Sequence, residues 1–337
     1  MPLPWLILLS EPEGLKLSMP PRALGRAALS RLLDVAQGHG VLPATVSNLS
    51  AAAARGCAQL VASGGKEDID SILAAKKGRL RAGMVLSLLL RQQGNDVMKA
   101  LSEKSIPAFI LKGAHFADRL YSPPSLRSFT DVDIMTPHDA VADVSAVLED
   151  LGYRRTTGWK MKHAGDYGQE AWEPEGRPGG TVEIHWNLVN SPKMRNNISC
   201  SFHDLQLEDG PGTTQPAPSP ASLLLIASVH AATSHSYDRL LQLYDIRQIC
   251  LGKAGWLDTA YLSEMLGRSG CSASVTAGLY LCWCVLKSEE CLDLTARLKL
   301  AVPLSLKALV TPSMLQREPN RIDILRRQIL REVLKRI

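Results

Sequence analysis

Residues 126–134 have the sequence Leu-Arg-Ser-Phe-Thr-Asp-Val-Asp-Ile, which places two carboxylates at alternate positions of a predicted β-strand. Alternate residues of a strand project to the same face. We therefore expect Asp131 and Asp133 to point the same way, while Val132 and Ile134 enter the core. Two neighbouring acidic groups repel each other unless a positive charge lies between them, so the pattern predicts a cation at this strand.

A second predicted strand further along the chain repeats the pattern. Residues 181–186 have the sequence Thr-Val-Glu-Ile-His-Trp, which puts Glu183 and His185 on one face and apolar side chains on the other. If the two strands are neighbours, Glu183 joins Asp131 and Asp133. Because carboxylate oxygens are ligands that Mg²⁺ prefers, the sequence predicts a magnesium site.

Bulk composition is that of an ordinary globular protein. The length of 337 residues allows about two domains. Aromatic residues make up only 5% of the chain, which favours Leu-rich and Ala-rich helices over an all-β sandwich. The net charge of +5 is mild, so attraction for anions depends on particular Arg and Lys residues, and nucleic acid as a partner is unsupported.

The spacing of apolar residues and the positions of proline and glycine divide the chain into four predicted parts. They are an N-terminal helical region (1–104), an α/β core with a small mixed sheet (105–207), a linker (208–220) and a C-terminal helical domain (221–337). In the linker, proline removes N–H donors and glycine resists ordering, so we expect neither helix nor sheet ladder there. Within the core, Thr136 is the predicted cap of a helix that ends at Gly152.

Several features indicate a cytoplasmic protein without a membrane span. The first residues lack the basic start of a signal peptide and are interrupted by proline and acidic residues. No apolar run approaches the roughly 20 residues that span a bilayer. The seven cysteines have no metal-ligand spacing, and their odd number fits reduced thiols.

The motifs together resemble the nucleotidyltransferase superfamily that includes the palm of DNA polymerase β. More narrowly, the chain is similar to the bacterial family of uncharacterised nucleotidyltransferases, over about residues 80 to 285. The residues that carry the resemblance are Ile110-Leu-Lys-Gly113, Tyr121, Arg127, Asp131-Val-Asp133, Gly152-Tyr153, Glu183-Ile-His185-Trp186, His230 and Leu243-Tyr-Asp245-Ile246.

The resemblance implies attack of an acceptor hydroxyl on the α-phosphorus of a nucleoside triphosphate, with release of pyrophosphate. It implies Mg²⁺, or alternatively Mn²⁺, held by Asp131, Asp133 and Glu183. The superfamily has Gly-Ser before its acidic pair, whereas this chain has Lys112-Gly113. We expect the lysine to supply the phosphate-binding charge there.

Other residues have more than one interpretation. Arg127 would be a fork-shaped donor to phosphate oxygens. Together with Lys112 and Gly113 it is a predicted nucleotide contact. Glu183 would be either a metal ligand or the acceptor of the nucleophile's proton. His185 would touch substrate, orient Glu183 or satisfy a neighbouring backbone group, and His163 is a weaker candidate for a substrate contact.

The acceptor stays open in the sequence. A small hydroxylated molecule, a peptide or protein side chain, and an RNA end are all compatible with the motifs. Two alternative functions are a catalytically inactive binding module with this fold and a toxin that modifies tRNA or protein. The basic amphipathic tail after Arg317 indicates a solvated helix face more than a membrane or nucleic-acid contact.

Overall fold

The computed structural model describes residues 3–15, 22–156, 167–209, 216–315 and 320–334. It is 63% helical, with a five-stranded sheet in the middle of the chain and helices before and after it. This confirms the predicted α/β core flanked by helical regions. Among the described helices, none combines the length and apolarity needed to cross a lipid bilayer.

The main sheet brings two separate parts of the sequence side by side. Its strands are β1 (Phe109–Ile110), β2 (Val132–Met135), β3 (Tyr153–Arg155), β4 (Gln169–Pro174) and β5 (Val182–His185), in the order β1-β2-β5-β4-β3. β2 and β5 are parallel, whereas the other neighbouring pairs are antiparallel. The sheet is therefore small and mixed, and Asp133 is directly opposite Glu183 in the register of β2 and β5.

Helices surround this sheet. Before it come α1 (Leu3–Leu9), α2 (Arg26–Gly38), α3 (Leu42–Ala54), α4 (Ala58–Val61) and α5 (Gly65–Glu103). Between strands lie α6 (Ala114–Leu120) and α7 (Val141–Asp150), and after β5 lies α8 (Pro192–Arg195). The C-terminal helices are α9 (Pro220–His230), α10 (Leu240–Cys250), α11 (Thr259–Ser269), α12 (Ser272–Leu286), α13 (Glu289–Arg297), α14 (Leu304–Leu309) and α15 (Arg321–Leu334).

Two hydrophobic cores hold these elements together. The smaller core lies between the sheet, α7 and the C-terminal half of α5, and it contains Val132, Ile134 and Ile184. The larger core contains side chains from α1 to α4 and from α9 to α15. The predicted N-terminal and C-terminal helical regions thus share one core, and their boundaries as separate domains stay a prediction.

The expectation that residues 208–220 hold no sheet ladder was wrong. A two-stranded antiparallel ribbon joins β6 (Leu207–Asp209) to β7 (Pro216–Pro218). Proline is compatible with such a ribbon because every second backbone position of each strand faces away from the partner strand and needs no N–H donor. Residues 210–215 lie outside the described parts.

The predicted capping role of Thr136 was also wrong. Its hydroxyl donates to the Pro107 carbonyl at 2.8 Å, so it ties β2 to the segment before β1. A single 3₁₀ turn over His138–Ala140 separates it from α7.

Gly270 ends α11 in the left-handed conformation, with φ of 68°. A Cβ at this position would overlap the backbone carbonyl oxygen of Asn197. We expect Gly270→Ala to lower the free energy of unfolding by about 2 kcal/mol or more, because strain and overlap add. Urea unfolding measures this change.

Gly267 in the same helix is the matched control. An added Cβ there meets no atom within 4 Å, and the residue is helical. Gly267→Ala should raise stability by about 0.5 to 1 kcal/mol. Equal stability of Gly270→Ala and the wild type would show that α11 does not approach Asn197 this closely.

Candidate active site

The predicted acids converge at two neighbouring interior strands of the sheet, β2 and β5. Val132 and Ile134 are 4% and 0% exposed, so the alternation of β2 turns the carboxylate of Asp133 to the opposite face. The Asp133 side chain is completely buried, whereas the side chains of Glu183 and Asp131 are 24% and 33% exposed. The deepest carboxylate therefore lies behind two that reach solvent.

The Lys112 ammonium lies between the two aspartates. Its Nζ is 2.6 Å from Oδ2 of Asp133 and 3.8 Å from Oδ2 of Asp131. Burial by itself would lower the pKa of Lys112, but the charges of Asp133 and Asp131 outweigh it and raise the pKa. A lysine thus occupies the position between the carboxylates where the sequence predicts a cation.

His185 joins the carboxylates of the two strands. Its Nε2 is 3.0 Å from Oδ1 of Asp133 and 3.5 Å from Oε2 of Glu183. Burial would lower the pKa of His185, but hydrogen bonds to Asp133 and Glu183 raise it to about 9. The imidazole is therefore protonated at neutral pH and donates a hydrogen bond to Asp133.

The three carboxylates differ in their affinity for protons. Burial would raise the pKa of Asp133, yet the Lys112 charge and the hydrogen bond from His185 hold it well below its usual value. Burial would raise the pKa of Glu183, but the hydrogen bond from His185 and the charges of His185 and Lys112 together lower it. Burial and the Asp133 charge raise the pKa of Asp131, and Lys112 offsets this only in part.

The donor atoms fit a divalent cation. Ligand atoms of Asp133, Glu183 and His185 lie within 4.8 Å of one another. Carboxylate oxygens suit Mg²⁺ and Mn²⁺, whereas His185 would have to lose its proton before its nitrogen could bind a metal. In the structure Lys112 and the protonated His185 balance the charge of these acids. The Asp131 carboxylate, 3.8 Å from Lys112 Nζ, borders this group of three without belonging to it.

Arg127 takes part in a buried ion pair with a residue from α10. Its Nε and Nη2 donate to the two carboxylate oxygens of Asp245, both at 2.8 Å. The Tyr121 hydroxyl donates to the same carboxylate at 2.8 Å, and the guanidinium lies 5.2 Å from the ring centroid of Phe116. Its Nη1 donates to the Gly113 carbonyl at 3.0 Å, which fixes the loop that carries Lys112.

Gly113 allows this loop to turn sharply. Its φ is 60° with ψ of −113°, a conformation that side chains disfavour. A Cβ at this position would also lie 3.4 Å from the Asp131 carbonyl oxygen. Glycine therefore lets the Lys112 loop lie against the strand of the paired aspartates.

A cleft of about 1280 Å³ opens onto these groups. One wall carries Lys112, Asp131 and Glu183 from the sheet. Other walls come from the end of α2, including Gly38, and from the end of α9 and the residues after it, including His230. The volume is large enough for a nucleotide together with an acceptor group.

Most of the predicted site residues lie together in the structure. The local sequence did not predict the contact between Arg127 and Asp245. Five of them line the cleft: Lys112, Gly113, Asp131, Glu183 and His185. Asp133 is paired with Lys112, and His163 lies outside the described residues. The sequence reasoning missed the role of Asp245 as the partner of Arg127, although both belong to the motif that carries the resemblance. The presence of both residues among those that carry the resemblance was the one signal that could have pointed to this pair.

Of three comparisons with known proteins, the one with protein families shows which family the chain belongs to. No curated protein matches the chain. A similar solved structure is the solution structure of the antibiotic-resistance factor ANT(2'')-Ia, at 15% identity and a TM-score of 0.36, covering 55% of this chain and 91% of that chain. The sequence matches the uncharacterised nucleotidyltransferase family over residues 26–287, which extends further toward the N terminus than the motifs indicate. The chain therefore belongs to the uncharacterised nucleotidyltransferase family, which confirms the predicted enzyme class.

Proposed function

We propose that this protein transfers a nucleoside monophosphate from a nucleoside triphosphate to a hydroxyl-bearing acceptor in a Mg²⁺-dependent reaction. The observation that carries the proposal is the meeting of Asp133 and Glu183, opposite each other on parallel strands, beside a large cleft. Membership in a nucleotidyltransferase family supports the same chemistry.

Asp131, Asp133 and Glu183 are the proposed metal ligands, with His185 against two of them. When bound, Mg²⁺ or Mn²⁺ would neutralise charge on the phosphate oxygens and lower the pKa of the attacking hydroxyl. Asp133 is the central ligand of this proposal, because its carboxylate is fully buried and lies directly opposite Glu183 in the register of β2 and β5.

Lys112 would contact the phosphate oxygens from the wall of the cleft. In the structure its ammonium pairs with Asp133, and the residue lines the cleft beside the acids. Gly113 keeps the loop close to the strand. Both residues retain the nucleotide-binding role that the sequence predicts.

In the reaction, a bond forms between the acceptor oxygen and the α-phosphorus. The bond from that phosphorus to the oxygen bridging to the β-phosphorus breaks, and pyrophosphate leaves with the electron pair. The acceptor's proton passes to Glu183 or to solvent. His185 holds Glu183 and Asp133 in place by hydrogen bonding, which is an orienting role.

Arg127 supports the site indirectly in this proposal. Its guanidinium donates to Asp245 and to the Gly113 carbonyl, so its effect on phosphate passes through the position of the Lys112 loop. A direct phosphate contact stays a prediction from the sequence.

Labelled nucleotides provide the test. The purified protein is incubated with each of the four α-³²P-labelled ribonucleoside triphosphates, Mg²⁺ and cell extract. Transfer of label to a small molecule, a peptide or a macromolecule, and its loss when EDTA is added, is the expected result. Label on tRNA or a protein target, with growth arrest on expression, would favour the toxin. Binding of triphosphate by folded protein without any transfer would favour the inactive module.

A further inference from the structure

The wall of the cleft formed by the end of α9 and the residues after it has an unusual backbone. Helix α9 continues into a π-helical turn over Ala231–His235, and the next two residues, Ser236 and Tyr237, are left-handed with φ of 52° and 57°. Such π-helical turns occur frequently at functional sites. The buried Tyr237 ring anchors the segment, because its hydroxyl donates to the Ser274 carbonyl of α12.

Two arginines converge on this wall from distant parts of the chain. Arg239 follows the turn, and Arg331 comes from α15, beyond the part of the chain that matches the family. Arg331 Nε donates to the Ser236 hydroxyl at 3.1 Å, which fixes its guanidinium at the turn. Within the described residues, neither arginine forms an ion pair, and both line the cleft.

His235 lies close enough to Arg239, Lys112 and Arg331 for all three charges to affect its pKa. Burial lowers the pKa of His235 to about 4, and the positive charges of Arg239, Lys112 and Arg331 contribute to the shift. Asp238, whose Oδ1 is 3.7 Å from Nδ1 of His235, offsets them only in part. All three cations line the same cleft, and Lys112 lies at its acidic side.

We propose that Arg239 and Arg331 bind the β- and γ-phosphates of the nucleoside triphosphate whose α-phosphate lies at the acids. This inference rests on the proposed function. Arg239 and Arg331, which have no ion pair among the described residues, repel each other in one cavity, so an anion between them is stabilised. Guanidinium groups match phosphate oxygens as forked donors, and at this wall they also stabilise the charge on the departing pyrophosphate.

The test measures binding, with Mg²⁺ present and without turnover. The probes are the α,β-methylene analogues of the four ribonucleoside triphosphates and the four corresponding monophosphates, titrated by calorimetry. The variants are Arg239→Gln, Arg331→Gln and Arg331→Lys. The matched control is Arg321→Gln, an exposed arginine of the same helix that does not line the cleft.

We expect each glutamine variant to weaken triphosphate-analogue binding about tenfold or more, because a charged hydrogen bond is lost. Monophosphate binding should change less than twofold, Arg331→Lys should be intermediate, and Arg321→Gln should bind like the wild type. Unchanged triphosphate binding in Arg239→Gln and Arg331→Gln, or equal losses for monophosphate and triphosphate, would overturn the inference while leaving the proposed function in place. Failure of the wild type to bind any triphosphate analogue would instead contradict the proposed function and, with it, this inference.

Discussion

Asp133→Asn is expected to lower the rate of nucleotidyl transfer by about three orders of magnitude, which is about 4 kcal/mol of barrier. The amide keeps the shape of the side chain but removes the charge that a divalent cation needs. Asp133 is also the buried carboxylate on which both Lys112 and His185 converge. The rate is measured as release of pyrophosphate in the presence of saturating Mg²⁺.

Loss of folding must be separated from loss of chemistry in this variant. Removing the Asp133 charge leaves the positive charges of Lys112 and His185 buried with less negative charge beside them, which lowers stability. The thermal unfolding of the variant is therefore measured alongside its rate. Asp131→Asn provides a second test, because this side chain is one third exposed and its removal disturbs the fold less. We expect it to lose transfer as well.

Asp139→Asn is the matched control for both variants. Asp139 is an exposed aspartate in the 3₁₀ turn after β2, so its amide should leave the rate unchanged. A folded Asp133→Asn protein with the wild-type rate would contradict the assignment of the site.

Arg127→Met is expected to lower the free energy of unfolding by about 3 kcal/mol or more. The substitution leaves the carboxylate of Asp245 buried with only the Tyr121 hydroxyl as a donor, and breaking a buried pair from one side is costly. It also removes one of two hydrogen bonds to the Gly113 carbonyl and leaves the one from the Ala117 N–H. Urea unfolding followed by circular dichroism measures the effect.

The double variant Arg127→Met with Asp245→Leu distinguishes the pair from simple loss of packing. Because it removes both charges, it should be more stable than Arg127→Met. Lys104→Met breaks an exposed pair with Asp150 and should cost less than about 1 kcal/mol. If Arg127→Met costs no more than Lys104→Met, the buried pair does not stabilise the fold as described.

Local pattern predicted the sheet because alternation is a short-range property. The apolar residues of β2 and β5 enter the core, as expected from their spacing, and the strands are neighbours with their acids side by side. The helices around them also follow from apolar periodicity and from proline and glycine. The ribbon of β6 and β7 was missed because the prolines of this segment were taken to exclude strands. Proline is tolerated in an edge strand, where the missing N–H would face solvent.

The sequence by itself determined the mixed α/β core, the acids on two strands and the lysine and glycine before them, since each depends on residues close together in the chain. Tertiary structure alone decided that Lys112 neutralises Asp133, that Arg127 pairs with Asp245, 118 residues away, and that Arg331 reaches the cleft. These contacts depend on how the helices before and after the sheet pack into one shared core, and long-range packing leaves no periodic signal in the sequence.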